Sequence, residues 1–128
     1  MPAQLLDGKQ IAKRMRANLR EARDAHSDRQ VRLVSLEIGQ NPAAAVYVRN
    51  QQRAAAEVGI DMETMNLPVG TTETQLLLAI ENLNSRADVS GVLVQRPLPP
   101  GIDPRTVQMA IDPKKDVEGM HPTNMGTI

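Results

Sequence analysis

Apolar residues in this chain follow two alternating periods, and that alternation most narrows the folds open to it. After Asp7-Gly8, Ile11, Met15 and Leu19 recur every four positions, with Ala12 and Ala22 beside them and Lys13, Arg14, Arg16 and Arg20 on the other faces. That spacing predicts an amphipathic helix, ended by the polar stretch around Ser27-Asp28. Val31 to Ile38 switches to apolar–polar alternation for much of its length and predicts a strand. A second helix is expected from about Ala43 to Val58. Pro42 suits its first turn, where a missing N–H is no loss, and Gly59 suits a left-handed cap at its end. Ile60 to Leu67 reads as a less regular strand, and Thr72-Glu-Thr-Gln75 as a capping box for a third helix striped by Leu76, Leu77, Ile80 and Leu83. Gly91 to Val94 is a short apolar run, as in a strand covered on both faces. Asp103-Pro104 reads as an N-cap and first helical residue, opening a short helix through Ile111, and Asp112 to Ile128 reads as loop. Strands alternating with helices predict an α/β fold, three layers of α/β/α around a largely parallel sheet, with residues 1–128 as a single domain.

Composition excludes several classes of function. Fifteen basic and fifteen acidic residues cancel, and no basic stripe runs along any segment, so no nucleic-acid partner is expected. Without cysteine there is no disulfide, thiolate-bound zinc or thiol catalysis. The two histidines, His26 and His121, are far apart, and no metal site is expected. No continuous apolar stretch marks a leader or a membrane span, so a cytoplasmic protein without a membrane partner is expected.

Against this aliphatic background Tyr47 is the sole aromatic residue. It lies in Gly39-Gln-Asn-Pro-Ala-Ala-Ala-Val-Tyr-Val-Arg-Asn-Gln51, a strand end, turn and helix start, and Gln51 follows four residues on, hence on the same helix face. Ligands of open α/β sheets gather at the carboxyl ends of the strands. Three polar segments should meet there: Gly39 to Gln51, Val94-Gln-Arg-Pro-Leu-Pro-Pro100, and Lys114-Lys-Asp-Val-Glu-Gly-Met-His-Pro122. Each has an ordinary reading as well as a functional one. Tyr47 could be a half-buried packing residue or a platform for a flat heterocycle. Gln95 could hydrogen-bond loop backbone or a ligand, and the Lys114 to Glu118 loop could be a solvated turn.

Taken together, Gly39-Gln-Asn-Pro-Ala43 with Tyr47, Val94-Gln-Arg-Pro-Leu-Pro99 and Pro113-Lys-Lys-Asp-Val-Glu-Gly119 stand in an order that resembles a known family. The chain, from Leu6-Asp-Gly-Lys9 to His121-Pro-Thr-Asn-Met-Gly126, resembles the N-terminal catalytic domain of bifunctional methylenetetrahydrofolate dehydrogenase/methenyltetrahydrofolate cyclohydrolase. The resemblance implies a tetrahydrofolate derivative as partner, with Tyr47 stacking on its ring system. It implies that Gln95 positions the residue at Gln51, where the family carries a lysine that supports one-carbon chemistry. It also implies that Glu118 holds the pterin's amino edge.

Several positions depart from the family pattern. Gln51 replaces the lysine, Glu118 an aspartate, Ala44 a serine, Arg96 a leucine and Met120 a phenylalanine. A lysine of lowered pKa exchanges protons near neutral pH, whereas an amide orients water without taking its proton. Lys114 and Lys115 could substitute if their loop folds over Tyr47. No Gly-x-Gly-x-x-Gly phosphate turn occurs, so no cofactor is expected within this chain, and NADP only where a nucleotide-binding domain is present in the full protein. The expectation is a tetrahydrofolate-binding domain of one-carbon metabolism, impaired in catalysis. The alternatives are a non-catalytic binding or regulatory module, or a domain adapted to another pterin-like ligand. An apolar face left by a missing second domain would favour a homo-oligomer or a partner chain.

Overall fold

The computed structural model describes residues 2–126. Its elements run α1 (Gly8–Ala25), β1 (Arg32–Ile38), α2 (Pro42–Glu57), β2 (Asp61–Leu67), α3 (Glu73–Ser85), β3 (Gly91–Val94), α4 (Pro104–Ala110) and α5 (Pro122–Met125). The three strands form a parallel sheet in the order β2-β1-β3.

Local chemistry sets the helix ends. The Asp7 carboxylate accepts from the N–H groups of Lys9 and Gln10 at the start of α1. Asn41 caps Ala43, with Pro42 at the first position of α2. Thr72 and Gln75 form the reciprocal capping box of α3, and Asp103 caps α4 ahead of Pro104. Gly59, with φ of 80°, takes the left-handed conformation that ends α2.

Topology then decides where the helices lie. From β1 the chain moves to one neighbouring strand through α2, and from β2 it crosses to the other side of β1 through α3. Two right-handed crossovers running in opposite directions place their helices on opposite faces. The core divides accordingly. Val34, Leu36 and Val92 point to one face and pack with Leu76, Ile80 and Leu83 of α3 and Val107 and Ile111 by α4. Strand alternation sends Ser35 and Leu93 to the other face, toward α2, whose Val48 and Ala55 are buried. Each fully buried Leu, Ile or Val contributes about 1.5–3 kcal/mol, so this aliphatic core holds without aromatic rings. The helix α1 lies against α2, tied by Arg23 Nε donating to the Gly59 carbonyl at 2.9 Å. Its own stripe of Ile11, Met15 and Leu19 stays about half exposed.

The expectation of loop from Asp112 onward needs correction. Val92 N–H donates to the Lys115 carbonyl at 2.9 Å and Asp116 forms a parallel bridge beside β3, so this segment joins the sheet edge. It then enters α5, where the His121 Nδ1 accepts from Thr123 N–H at 3.1 Å ahead of Pro122. A four-residue helix is too short to carry an apolar period, which is why only its proline marks it in the sequence. Thr127 and Ile128, the end of the expected loop, lie outside the described residues.

Candidate functional site

Because β1 sends the chain to α2 on one face and β3 sends it toward α4 on the other, a crevice opens beyond the carboxyl ends of these two strands. A cleft of about 370 Å³ occupies it, lined among others by Ala44, Tyr47, Gln51, Gln95, Arg96 and Glu118. All three segments singled out in the sequence therefore meet. Tyr47 stands at the rim with its side chain largely exposed, and Gln51 is half-buried one turn further along α2.

Gln95 is held from both ends. Its backbone N–H donates to the Leu36 carbonyl at 2.8 Å, which extends the β1–β3 ladder by one residue. Its side-chain Nε2 donates to Ser35 Oγ at 2.8 Å and to Gln51 Oε1 at 3.0 Å. Ser35 is the one buried polar residue of the described core, and Gln95 satisfies it. Both N–H groups of the Gln95 amide are thus used, while Gln95 Oε1 and the Gln51 amide nitrogen remain open to a ligand or water. The motif reading had not found Ser35. Its only sequence signal is a polar residue flanked by Val34 and Leu36 in the middle of the central strand.

The third segment reaches the cleft through Asp116. The Asp116 carboxylate accepts from His121 N–H at 2.7 Å and from Asn124 Nδ2 at 3.0 Å. Burial works against its charge, but the Asn124 amide and the N–H groups of His121, Met120 and Glu118 outweigh it, and its pKa lies below the ordinary carboxylate value. This carboxylate folds the turn that sets exposed Glu118 on the rim. Gly91 matters to the same turn: a Cβ there would collide with Val117 Cγ1, next to Glu118.

Neither lysine of the loop serves the cleft. Lys115 Nζ donates to the carbonyls of Leu83, Asn84 and Arg86 at 3.0, 2.8 and 2.8 Å, neutralising the exposed carbonyl end of α3. Lys114 is exposed and does not line the cleft. The expectation that the pair could fold over Tyr47 is corrected by this geometry, since the loop turns Lys115 toward α3.

The turn from β1 into α2 does not fit what a dinucleotide's phosphates need. It offers little to a pyrophosphate, because Pro42 has no N–H and the N–H of Ala43 is taken by Asn41 Oδ1 at 3.0 Å. Among the described residues no group of His, Asp or Glu could hold a metal ion. No described helix is long and apolar enough to cross a membrane. At the opposite ends of the strands, Arg86 pairs with Glu63 and Asp88 at 3.2 and 2.8 Å, and its guanidinium holds the Asp88 carboxyl at about 2. That network braces the sheet away from the cleft.

Comparison with known proteins places this geometry. The catalytic domain family described as tetrahydrofolate dehydrogenase/cyclohydrolase matches residues 6–118. The bifunctional protein FolD of Acidiphilium cryptum is 44% identical over 128 residues, covering 100% of this chain and 46% of that protein. The solved 5,10-methylenetetrahydrofolate dehydrogenase of the silkworm Bombyx mori superposes with a TM-score of 0.94 at 40% identity, over 98% of this chain and 44% of that one. The methylenetetrahydrofolate dehydrogenase-cyclohydrolase of Trypanosoma brucei, solved with NADP cofactor and inhibitor, gives 0.87 at 30% identity, over 99% and 44%. This chain therefore spans about half the length of the curated relatives it matches.

Proposed function

This chain belongs to the tetrahydrofolate dehydrogenase/cyclohydrolase catalytic-domain family, and from that premise we propose that its cleft binds a reduced folate of one-carbon metabolism but transforms it poorly. On this reading the pterin stacks on Tyr47, Glu118 accepts from its amino edge, and the amides of Gln51 and Gln95 face its one-carbon region. The observation that carries the proposal is the Gln95 carboxamide bridging Ser35 and Gln51 within the cleft that Tyr47 lines. It supports a positioning role for Gln95 and a fixed, neutral residue where the family's chemistry calls for a titrating one. Gln51 can orient a water molecule but cannot accept its proton, and general acid–base help is typically worth ~10²–10⁴-fold. NADP and hydride transfer belong, on the same reading, to a nucleotide-binding unit of the full protein.

A second reading, a non-catalytic binding or regulatory module, is favoured by the same hydrogen bond. Gln51 already has a partner in Gln95 and adds no group of tunable charge. Two measurements on the purified chain test both readings. Tetrahydrofolate should raise the melting temperature in a saturable way, because a ligand that binds only the folded state stabilises it. Methenyltetrahydrofolate should decay no faster than in buffer. The absence of any thermal shift would remove the folate reading, and hydrolysis well above buffer would remove the impaired one.

A further inference from the structure

Beside the cleft, across Arg96, lies a second concavity of about 600 Å³. Met109, Met120 and Met125 line it, and they are 55%, 37% and 59% exposed. Its charged groups are Arg96 and Arg105. Several arginines elsewhere are engaged, Arg32 and Arg86 with Asp88 and Arg23 with the carbonyls of Gly59 and His26, whereas these two share one largely apolar groove. Neither Arg96 nor Arg105 makes a side-chain hydrogen bond or ion pair with another described residue. Asp103, two residues before Arg105, is committed to the helix start, accepting from Arg105 N–H and the Thr106 hydroxyl.

A groove of this composition suits an arm that is apolar along its length and anionic at its end. Thioether side chains adapt to irregular apolar groups, and the planar guanidinium fork matches a carboxylate in two-point contact. Arg96 lines both concavities, so a ligand seated on Tyr47 would pass it on leaving the first for the second. Arg96 also stands where the family motif carries leucine, which makes the charge a feature of this chain. We propose that Arg96 and Arg105 form a carboxylate-recognition subsite, with the methionine-lined groove receiving the aryl-glutamyl arm of the ligand. The proposal rests on the folate reading above.

The test compares three ligands on the whole chain: a tetrahydropterin without the arm, tetrahydrofolate with one glutamate, and tetrahydrofolate with a polyglutamate tail. Each is titrated at low and high salt into the wild type, Arg96→Leu and Arg105→Ala, with circular dichroism as the control for folding. The tetrahydropterin should bind all three proteins alike. The glutamylated ligands should bind the wild type roughly three- to tenfold tighter than either variant at low salt, with the difference shrinking at high salt. Equal binding of glutamylated ligands to wild type and variants would overturn the subsite while leaving the folate reading intact. No binding of any of the three ligands to the wild type would overturn the folate reading, and the subsite with it.

Discussion

Gln95, just beyond β3, and Gln51, in α2, lie 44 positions apart in sequence and meet through one hydrogen bond of 3.0 Å. The bond ties α2 to the segment leaving β3, and the same Gln95 nitrogen also reaches Ser35 of β1 at 2.8 Å, so one amide links three elements around the cleft. On the proposed folate reading, it places a neutral amide where proton transfer would require a base.

Gln51→Lys should therefore raise hydrolysis of methenyltetrahydrofolate. The network can accommodate the change. Gln95 would turn its Oε1 toward the ammonium, and the Ser35 hydroxyl would donate to that oxygen instead of accepting. We expect a gain of at least ~10²-fold over the wild-type chain, within the usual range for acid–base assistance. Following the methenyl absorbance measures it. No gain with binding preserved would shift the defect to Ala44 or Glu118.

Lys115→Met should cost stability and leave ligand affinity unchanged. The ammonium is half-buried and bonds three carbonyls at the end of α3. Losing charge-assisted bonds of this kind costs about 1–3 kcal/mol, readable in urea denaturation. A folate affinity that fell while stability held would instead place Lys115 at the ligand.

Asp116 should make stability fall in acid. Its folded pKa lies below its unfolded value, so the unfolded chain binds the proton more readily. The stabilisation is then complete above the ordinary carboxylate value and is lost as pH drops through the lowered one. Asp116→Asn should be less stable than wild type at neutral pH, and the gap should close on acidification. A gap independent of pH would mean that the carboxylate's charge is not what orders the turn.

Gly91→Ala should disturb the cleft more than the core. The added methyl meets Val117, whose side chain is 55% exposed and free to give way by moving the turn that carries Glu118. We expect weaker tetrahydrofolate binding with a modest change in melting temperature. Unaltered affinity would detach Glu118 from ligand binding.

Most of the fold was legible because its signals are local. Asp7, Thr72 with Gln75, and Asp103 with Pro104 each announce a helix start within a few residues, and each caps the helix it announces. The alternation from Val31 to Ile38 becomes β1 with its two faces packed on different helices. The meeting of Tyr47, Gln51, Gln95 and Glu118 in one cleft was also within reach of motif order. What stayed hidden depends on distant partners. Nothing near Lys115 shows that it will cap a helix about thirty residues upstream. Asp116 looks like one more charge in a solvated turn until His121 and Asn124 close around it. Ser35 reveals its purpose only once Gln95, 60 positions away, is seen bonded to it.

Stacking of the pterin on Tyr47 is tested most directly by a side-by-side calorimetric titration of tetrahydrofolate into the wild type and Tyr47→Ala. Tyr47 is 58% exposed, so removing its ring should change fold stability by no more than about 0.5 kcal/mol. Stacking of a flat heterocycle on an aromatic side chain is worth about 1–3 kcal/mol, so affinity should fall by that amount in the variant. Saturable binding by the wild type with this loss is the expected result. Equal affinity in both proteins, or none in the wild type, would contradict it.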